Sequence, residues 1–171
     1  MTKGGDFLEY FAKYDSPLGP LLMSSDGENL TGLHMGKNMP AQLDALGVFD
    51  QTGRWLDDYF RGEIHSAEVP LKVCGTPFQK AVWERLLKIP PGELISYGQI
   101  AREMAEAFGK EKMSAQAVGQ AVGKNPISIL IPCHRVVGAN RQLTGYSGGI
   151  EKKIWLLNHE GWHVCQGKCI K

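Results

Sequence analysis

The chain has 171 residues, of which 43% are hydrophobic and 22% are charged, and these proportions are ordinary for a soluble globular protein of one large or two small domains. No apolar run approaches the ~18 residues that a membrane-spanning helix needs, and the first residues lack the apolar core of a signal peptide. We therefore expect a cytoplasmic protein (or a nuclear one in a eukaryote), with no membrane partner and with its cysteines reduced.

The net charge of +1 conceals an uneven distribution. Residues 1–95 carry 9 Lys and Arg against 13 Asp and Glu, whereas residues 96–171 carry 10 against 5. The C-terminal part is therefore the better candidate for a polyanion-binding surface, although a chance division of charge between solvated faces gives the same numbers.

Residues 1–74 predict a small α/β scaffold domain in which no motif carries chemistry. Trp55, Leu56 and Tyr59 recur at helical spacing and are better explained as core than as a ligand cage. The predicted elements, in chain order, are strands over residues 8–14, 21–23 and 30–35, a helix over 54–60, and an edge strand or linker over 64–73.

Residues 75–171 predict a second, mainly helical domain. Thr76 with Gln79, and Ser96 with Gln99, form capping boxes that start two helices, and Ser114 caps a third. The second and third helices and the turn between them indicate a helix-turn-helix, although ordinary helix–helix packing explains the same spacing. The last helix is predicted over residues 150–159, with an inward face formed by Ile154, Trp155 and Leu157.

The most reactive pair in the sequence is Cys133 beside His134. The apolar, β-branched run before it follows Asn125-Pro126 and ends at Pro132, so it predicts a buried strand that delivers the pair at its end. Proton-accepting or cationic neighbours favour the thiolate, which is the nucleophilic form of cysteine. The alternative is an inert buried cysteine, since neighbouring side chains on a strand point to opposite faces.

A cysteine nucleophile needs a base, and the base needs a group that orients it. His134 is the nearest candidate base, and Glu160 is a candidate orienter if the last helix folds back toward it. The alternatives are a solvated carboxylate at the helix end for Glu160 and a plain cap for Asn125.

Four potential zinc ligands lie near the C-terminus, at His159, His163, Cys165 and Cys169. They are compressed into eleven residues without the usual intervening segment, so a helix end and tail explain them better than a zinc site. We expect no metal and no cofactor.

The segment Pro132-Cys133-His134-Arg135-Val136 resembles the active-site signature of the O6-alkylguanine-DNA alkyltransferases. The resemblance runs over residues 75–162 and includes Asn125-Pro126, Tyr146-Ser147-Gly148-Gly149 and residues 155–161. It implies an N-terminal α/β domain with a ribonuclease-H-like small sheet and helices. It also implies that residues 75–171 form a mainly α, winged helix-turn-helix domain that carries the active site.

The activity implied by the resemblance is DNA repair, by direct transfer of an alkyl group from O6-alkylguanine in double-stranded DNA to Cys133. The base must leave the duplex to be reached. The product is a thioether, which has no electrophilic carbonyl for water to attack, so each molecule reacts once. Activity on O4-alkylthymine stays open, and we expect the protein to act as a monomer.

The resemblance also implies roles for individual residues. Cys133, His134 and Glu160 form the catalytic relay, with water between thiol and imidazole, and Asn125 holds the turn around them. The implied substrate-binding residues are Tyr97, Val136, Tyr146, Ser147 and Gly148, and the implied DNA-binding residues are Ser114, Ala115, Gln116, Gly119, Lys124 and Arg135.

The sequence departs from the family pattern at Gln116, where relatives commonly carry an arginine that inserts into the duplex. Glutamine can stack and hydrogen-bond, but it lacks the charge and the forked donors of a guanidinium. We therefore expect weaker and less salt-sensitive DNA binding than in an arginine version.

Two other functions remain open at the level of sequence. A non-catalytic helix-turn-helix DNA-binding module or regulator fits the basic half of the chain but leaves Cys133 unused. A cysteine hydrolase would use Cys133, His134 and Glu160, would turn over repeatedly and would need no DNA.

Overall fold

The computed structural model describes residues 8–171, and these form two compact units that divide between Val73 and Cys74. The first seven residues of the predicted N-terminal domain lie outside the described residues. Within residues 8–171, no helix combines the length and the hydropathy that a membrane span requires.

The first unit is a small antiparallel sheet with one helix packed against it. The elements are β1 (Tyr10–Ser16), β2 (Gly19–Ser25), β3 (Leu30–Met35) and α1 (Gly47–Phe60). The strands lie in the order β1-β2-β3, and the central strand is buried from Leu21 onward, as the middle strand of a covered sheet must be.

The structure contains the three predicted strands, with shifted ends. β1 begins at Tyr10 rather than at residue 8, and β2 extends beyond residues 21–23 in both directions. The hairpin turn between β2 and β3 forms at Asp26, whose Oδ1 accepts a hydrogen bond of 2.8 Å from the backbone N–H of Asn29. Such an Asx turn is the local conformation that Asp favours.

The helix of the first unit is longer than predicted, and the segment that follows it takes one of its two predicted forms. α1 begins at Gly47 rather than at residue 54, because Val48, Phe49 and Thr52 extend its buried face toward the N-terminus. Residues 64–73, predicted as an edge strand or a linker, form a linker in which Leu71 makes a single bridge to Leu30.

The second unit is mainly helical. Its regular elements are α2 (Pro77–Leu87), β4 (Ile95–Ser96), α3 (Tyr97–Ala107), α4 (Ala115–Gly123), β5 (Val136–Val137), α5 (Ile150–His159), β6 (His163–Cys165) and β7 (Lys168–Ile170). α2, α3 and α4 pack together, and the indole N–H of Trp83 on α2 donates to the carbonyl of Ala121 on α4 at 2.9 Å.

Each of these helices starts at the predicted cap. Thr76 and Gln79 form a complete capping box, with the Thr76 hydroxyl and the Gln79 side chain each bonded to the other's backbone N–H. Ser96 accepts from the backbone N–H of Gln99 at 3.1 Å, but the Gln99 side chain turns to Glu103 instead, so that box is only half formed. Ser114 caps α4 through the backbone N–H of residue 117.

The prediction of a strand before Cys133 is wrong, because residues 125–132 form a buried turn. The Asn125 side chain holds it, donating to the carbonyl of Ile131 at 2.8 Å and accepting from the N–H of Ile127 at 3.0 Å. Ile129 adopts a positive φ of 71°, which reverses the chain. Cys133 therefore opens a short 3₁₀ turn, Cys133–Arg135, instead of ending a strand.

A two-residue parallel pairing brings the start of α3 beside this turn. Ile95 pairs with Val136 and Ser96 with Val137, so Tyr97, the first residue of α3, lies next to the segment that carries Cys133. α5 then returns and packs against the 3₁₀ turn. The fold thus assembles the candidate site from three separate parts of the sequence.

The inward face of α5 differs from the prediction. Lys153, Leu156 and Leu157 are fully buried, whereas Ile154 and Trp155 are only half-buried. The C-terminal segment is a β6–β7 hairpin rather than an unstructured tail, and it buries Cys169 in a cluster with Val137, Leu157 and Trp162.

Candidate active site

A buried cluster of three charged or polar side chains lies beside Cys133. Glu160 Oε1 accepts hydrogen bonds from His134 Nε2 at 2.7 Å and from Arg135 Nη2 at 2.8 Å, and Glu160 Oε2 accepts from Arg135 Nε at 2.8 Å. The backbone N–H of Gly92 adds a fourth donor at 3.3 Å. The carboxylate therefore meets donors on both oxygens, which compensates for its burial.

Arg135, one of the expected DNA-binding residues, makes structural contacts inside the protein. Arg135 is buried, with two guanidinium nitrogens on Glu160 and the third donating to the carbonyl of Ile89 at 2.6 Å. This forked geometry is the one arginine uses to hold a carboxylate. Arg135 therefore orients Glu160 and has no exposed charge to offer a phosphate.

The electrostatics of the cluster fix the protonation of His134. Burial raises the pKa of Glu160, but His134 and Arg135 outweigh it and hold that pKa well below its usual range. Burial lowers the pKa of His134 by more than the Glu160 charge raises it, so the imidazole is neutral near pH 7. A carboxylate on Nε2 requires the single proton of a neutral ring to be there.

The other ring nitrogen, His134 Nδ1, consequently carries a lone pair. It is buried and has no hydrogen-bond partner among residues 8–171. An unpaired buried acceptor is costly and uncommon, and here it belongs to the side chain next to a candidate nucleophile. Its lone pair is therefore available to accept a proton.

Cys133 is itself only 3% exposed, and burial raises the pKa of its thiol. Hydrogen bonds from Asn125 and Tyr146 and the positive charge of Lys153 act in the opposite direction. Burial prevails, so the resting group is a neutral thiol that needs a base before it can act as a nucleophile.

Lys153 reaches the site although sequence reasoning did not single it out. Its ammonium group is fully buried and donates to the carbonyl of Val136 at 2.7 Å. Burial lowers its pKa to about 8, and ionisation of the nearby Cys133 and Cys169 thiols would act in the opposite direction. The sequence did contain a signal for this burial, because Lys153 falls on the same apolar face of the helix as Leu156 and Leu157.

Cys133 opens onto a cavity of about 360 Å³ that extends to exposed residues at the protein surface. This volume falls in the range of small-molecule sites in proteins. Of the predicted substrate-binding residues, Tyr97, Tyr146 and Ser147 line it, but Val136 and Gly148 do not. The complete lining is Tyr97, Gly119, Val122, Gly123, Cys133, Gly145, Tyr146 and Ser147.

Tyr97 and Gly119 face each other in this lining. A Cβ atom added at Gly119 would lie 3.8 Å from the Tyr97 ring, so glycine leaves additional room there. The Tyr97 hydroxyl oxygen accepts a hydrogen bond of 3.0 Å from Thr144, a second residue that the sequence did not indicate. Burial raises the pKa of Tyr97, which keeps the phenol protonated.

The remaining DNA-binding candidates lie on or beside α4. Ser114 caps this helix, and Ala115, Gln116 and Lys124 are exposed at its two ends. The middle of the helix, at Gly119, lines the cavity. The same helix thus carries an exposed first turn and contributes to the cavity wall.

The residues considered as zinc ligands have other environments. His159 stacks on Trp155 with ring centroids 5.0 Å apart, Cys169 is buried in the apolar cluster, and Cys165 is exposed. Across residues 8–171, no group of three or more His, Cys, Asp or Glu side chains is arranged to hold a metal ion.

Both units of the chain match domains of known proteins. The ribonuclease-like domain of 6-O-methylguanine DNA methyltransferases matches residues 10–73, and the DNA-binding domain of the same proteins matches residues 77–162. A methylated-DNA–protein-cysteine methyltransferase of Mycobacterium leprae is 45% identical over 155 residues, covering 88% of this chain and 91% of the relative. The Haemophilus influenzae protein of that name is 42% identical over 88% of this chain and 86% of its own.

Solved structures agree with this assignment. The O6-methylguanine methyltransferase of Mycobacterium tuberculosis superposes with a TM-score of 0.76 at 42% identity, covering 90% of this chain and 93% of the other. A structure of the M. tuberculosis OGT in complex with DNA gives a TM-score of 0.76 at 43% identity, over 88% and 92% of the two chains. This chain therefore belongs to the methylated-DNA–protein-cysteine methyltransferase family and has its two-domain fold, a ribonuclease-like domain followed by a DNA-binding domain.

Proposed function

We propose that this protein repairs DNA by transferring an alkyl group from O6 of guanine to Sγ of Cys133, once per molecule. The observation that carries the proposal is a cysteine in the wall of a cavity of about 360 Å³, beside a neutral histidine whose free nitrogen can take its proton. The names of the relatives and the M. tuberculosis complex with DNA support the same reaction.

The first step is deprotonation of the thiol. The Cys133 proton passes to Nδ1 of His134, through a water molecule between the two side chains. The imidazolium that forms donates to the ionised Glu160, which Arg135 holds in place. Because Glu160 is ionised before the reaction begins, the cluster stabilises the imidazolium without rearranging.

The thiolate then attacks the alkyl carbon. The C–S bond forms as the bond between that carbon and O6 breaks, and the electron pair remains on the guanine. The purine anion takes up a proton, and in this proposal the Tyr97 hydroxyl in the cavity wall supplies it. The proton that His134 took from the thiol then returns to the Tyr97 oxygen. The products are a cysteine thioether and guanine.

Recognition of the extruded base falls to the cavity wall. Tyr146 and Ser147 flank the base, with Gly148 allowing the loop to approach it. Val136 lies outside this lining and its carbonyl accepts from Lys153, so it is left out of base recognition in this proposal. Asn125 keeps the turn, and hence Cys133, in place.

DNA binding is assigned to residues 75–171, with residues 1–74 as the scaffold domain. α3 and α4 form the two helices of a winged helix-turn-helix in this proposal, and α4 enters a groove with its exposed first turn, at Ser114, Ala115 and Gln116. Lys124 supplies a phosphate contact at the other end of α4. The excess of basic residues after position 95 supports the assignment of DNA binding to this domain.

The direct test is the intact mass of the protein after incubation with a duplex that contains one O6-methylguanine. We expect one methyl adduct per molecule, mapping to Cys133, that saturates at equimolar DNA and is absent with an unmethylated duplex of the same sequence. Cys133→Ser should abolish it, and Cys165→Ser, which alters an exposed thiol, should not. Repeated turnover would favour a hydrolase, and tight binding without an adduct would favour a non-catalytic DNA-binding module.

A further inference from the structure

The hydroxyls of Thr144 and Tyr97 form a directed hydrogen bond at the edge of the cavity. Thr144 Oγ1 donates to the Tyr97 oxygen at 3.0 Å, across 47 positions of sequence. Since the Tyr97 oxygen is the acceptor, its own hydrogen is left for another partner. A bond received by a hydroxyl oxygen also strengthens the bond that this hydroxyl donates.

Two contacts fix the orientation of the Thr144 side chain. A Cβ atom built on Gly138 would lie only 3.3 Å from the Thr144 methyl group, so that methyl packs close to the Gly138 backbone. Threonine is stiff at χ1 because it is β-branched. With the methyl directed to Gly138, the hydroxyl is directed to Tyr97.

The backbone around Thr144 is held from both sides. The N–H of Gly138 donates to the carbonyl of Gln142 at 2.8 Å, which closes the turn, and the N–H of Leu143 donates to Gly167 of the C-terminal hairpin at 2.7 Å. Gln142 also makes a β-bridge to Lys168. The hairpin thereby anchors the loop that carries Thr144.

We propose that Thr144 is a positioning residue for the alkyl transfer, directing the Tyr97 hydroxyl hydrogen into the cavity as the proton donor to the departing guanine. This inference rests on the proposed function. The proton leaves the Tyr97 oxygen for the purine anion, and the hydrogen bond from Thr144 stabilises the phenolate until the proton from His134 replaces it. Without that bond the phenol is a weaker acid and is free to rotate.

The test compares Thr144→Val, which keeps the shape and removes the donor, with Thr144→Ser, which keeps the donor. We expect Thr144→Val to slow single-turnover transfer from O6-methylguanine DNA by about tenfold and to raise the Tyr97 phenol pKa in ultraviolet titration. Thr144→Ser should recover most of the rate. Reaction of Cys133 with iodoacetamide, whose iodide leaves without a proton, should be unchanged by either substitution.

A double-mutant cycle makes the test specific. In a Tyr97→Phe background, Thr144→Val should have no further effect on transfer, because the bond no longer exists. Wild-type rates in Thr144→Val, equal slowing with iodoacetamide, or a full effect in the Tyr97→Phe background would each overturn the inference. If the wild type transfers nothing, the proposed function is lost and this role with it, and the phenol pKa still reports whether the hydrogen bond exists.

Discussion

Glu160 Oε1 lies 2.7 Å from His134 Nε2, and both side chains are completely buried. The two residues are 26 positions apart, so the bond ties the end of α5 to the turn that carries Cys133. Because Arg135 binds the same carboxylate, the cluster contributes to stability, and in the proposed mechanism it also supports proton transfer.

Glu160→Gln should damage both properties. The substitution leaves the Arg135 charge buried without its counter-ion, so we expect the free energy of unfolding to fall by about 3–5 kcal/mol in a urea titration. Transfer should slow by about 10²-fold, since an uncharged amide stabilises the imidazolium poorly. A variant of wild-type stability and rate would exclude the proposed role of Glu160.

Glu160 also predicts an acid-sensitive contribution to stability. Its folded pKa lies below the ordinary value of 4.5, so the contribution is complete above pH 4.5 and is lost as pH falls through the folded pKa. Unfolding free energies measured from pH 6 downward should therefore decline less steeply in Glu160→Gln than in the wild type. Parallel curves would show that other carboxylates account for the acid sensitivity.

Asn125→Ala should disrupt the turn before Cys133. It leaves the buried Ile127 N–H without its partner, and an unpaired group of this kind costs about 1–3 kcal/mol. The Ile131 carbonyl loses one of its two donors and keeps the backbone N–H of Cys133. We expect a loss of about 1–3 kcal/mol in the free energy of unfolding. Asn158→Ala is the matched control, because Asn158 is exposed and its replacement should change stability by less than about 0.5 kcal/mol.

Lys153→Met tests the buried lysine through pH. The folded pKa is about 8 against an ordinary 10.5, so between these values the unfolded chain binds more protons and the lysine's penalty disappears as pH rises. The free energy of unfolding of the wild type should therefore rise, relative to that of Lys153→Met, by up to about 3 kcal/mol between pH 7 and 10.5. A difference between the two proteins that stays constant over this range would contradict the assignment, and Lys152→Met, on the same helix but half-buried, is the control.

Gln116→Arg should strengthen DNA binding and its dependence on salt. An added phosphate contact steepens the slope of log affinity against log salt concentration by about 0.9. Gln120→Arg adds the same charge one turn along α4 and separates a specific contact from general attraction. Unchanged affinity and slope in Gln116→Arg would show that residue 116 does not face DNA.

Local signals predicted the helix starts of the second unit correctly. The Thr76 capping box and the Ser96 and Ser114 caps depend on residues three positions apart, so nothing distant was needed to recognise them. The same locality explains the failure at residues 125–132. An apolar β-branched run favours a strand, but the Asn125 side chain pairs the backbone of a turn instead.

The candidate site was only partly predictable for a related reason. Cys133 and His134 are adjacent in sequence, so the pair stood out. The burial of Arg135 against Glu160, the reach of Lys153 to the Val136 carbonyl and the bond from Thr144 all depend on where α5 and its preceding loop return. Spacing in one sequence does not contain that geometry.

Ile129 combines an unfavourable backbone with a favourable side chain. Its φ of 71° is a left-handed conformation that costs a β-branched residue about 1–3 kcal/mol, yet the side chain is only 1% exposed and its burial contributes about 1.5–3 kcal/mol. Glycine would relax the torsion and open a void, whereas another large side chain would inherit the strain. At the residue four places before the nucleophile, replacement by glycine would therefore relieve the backbone at the expense of packing.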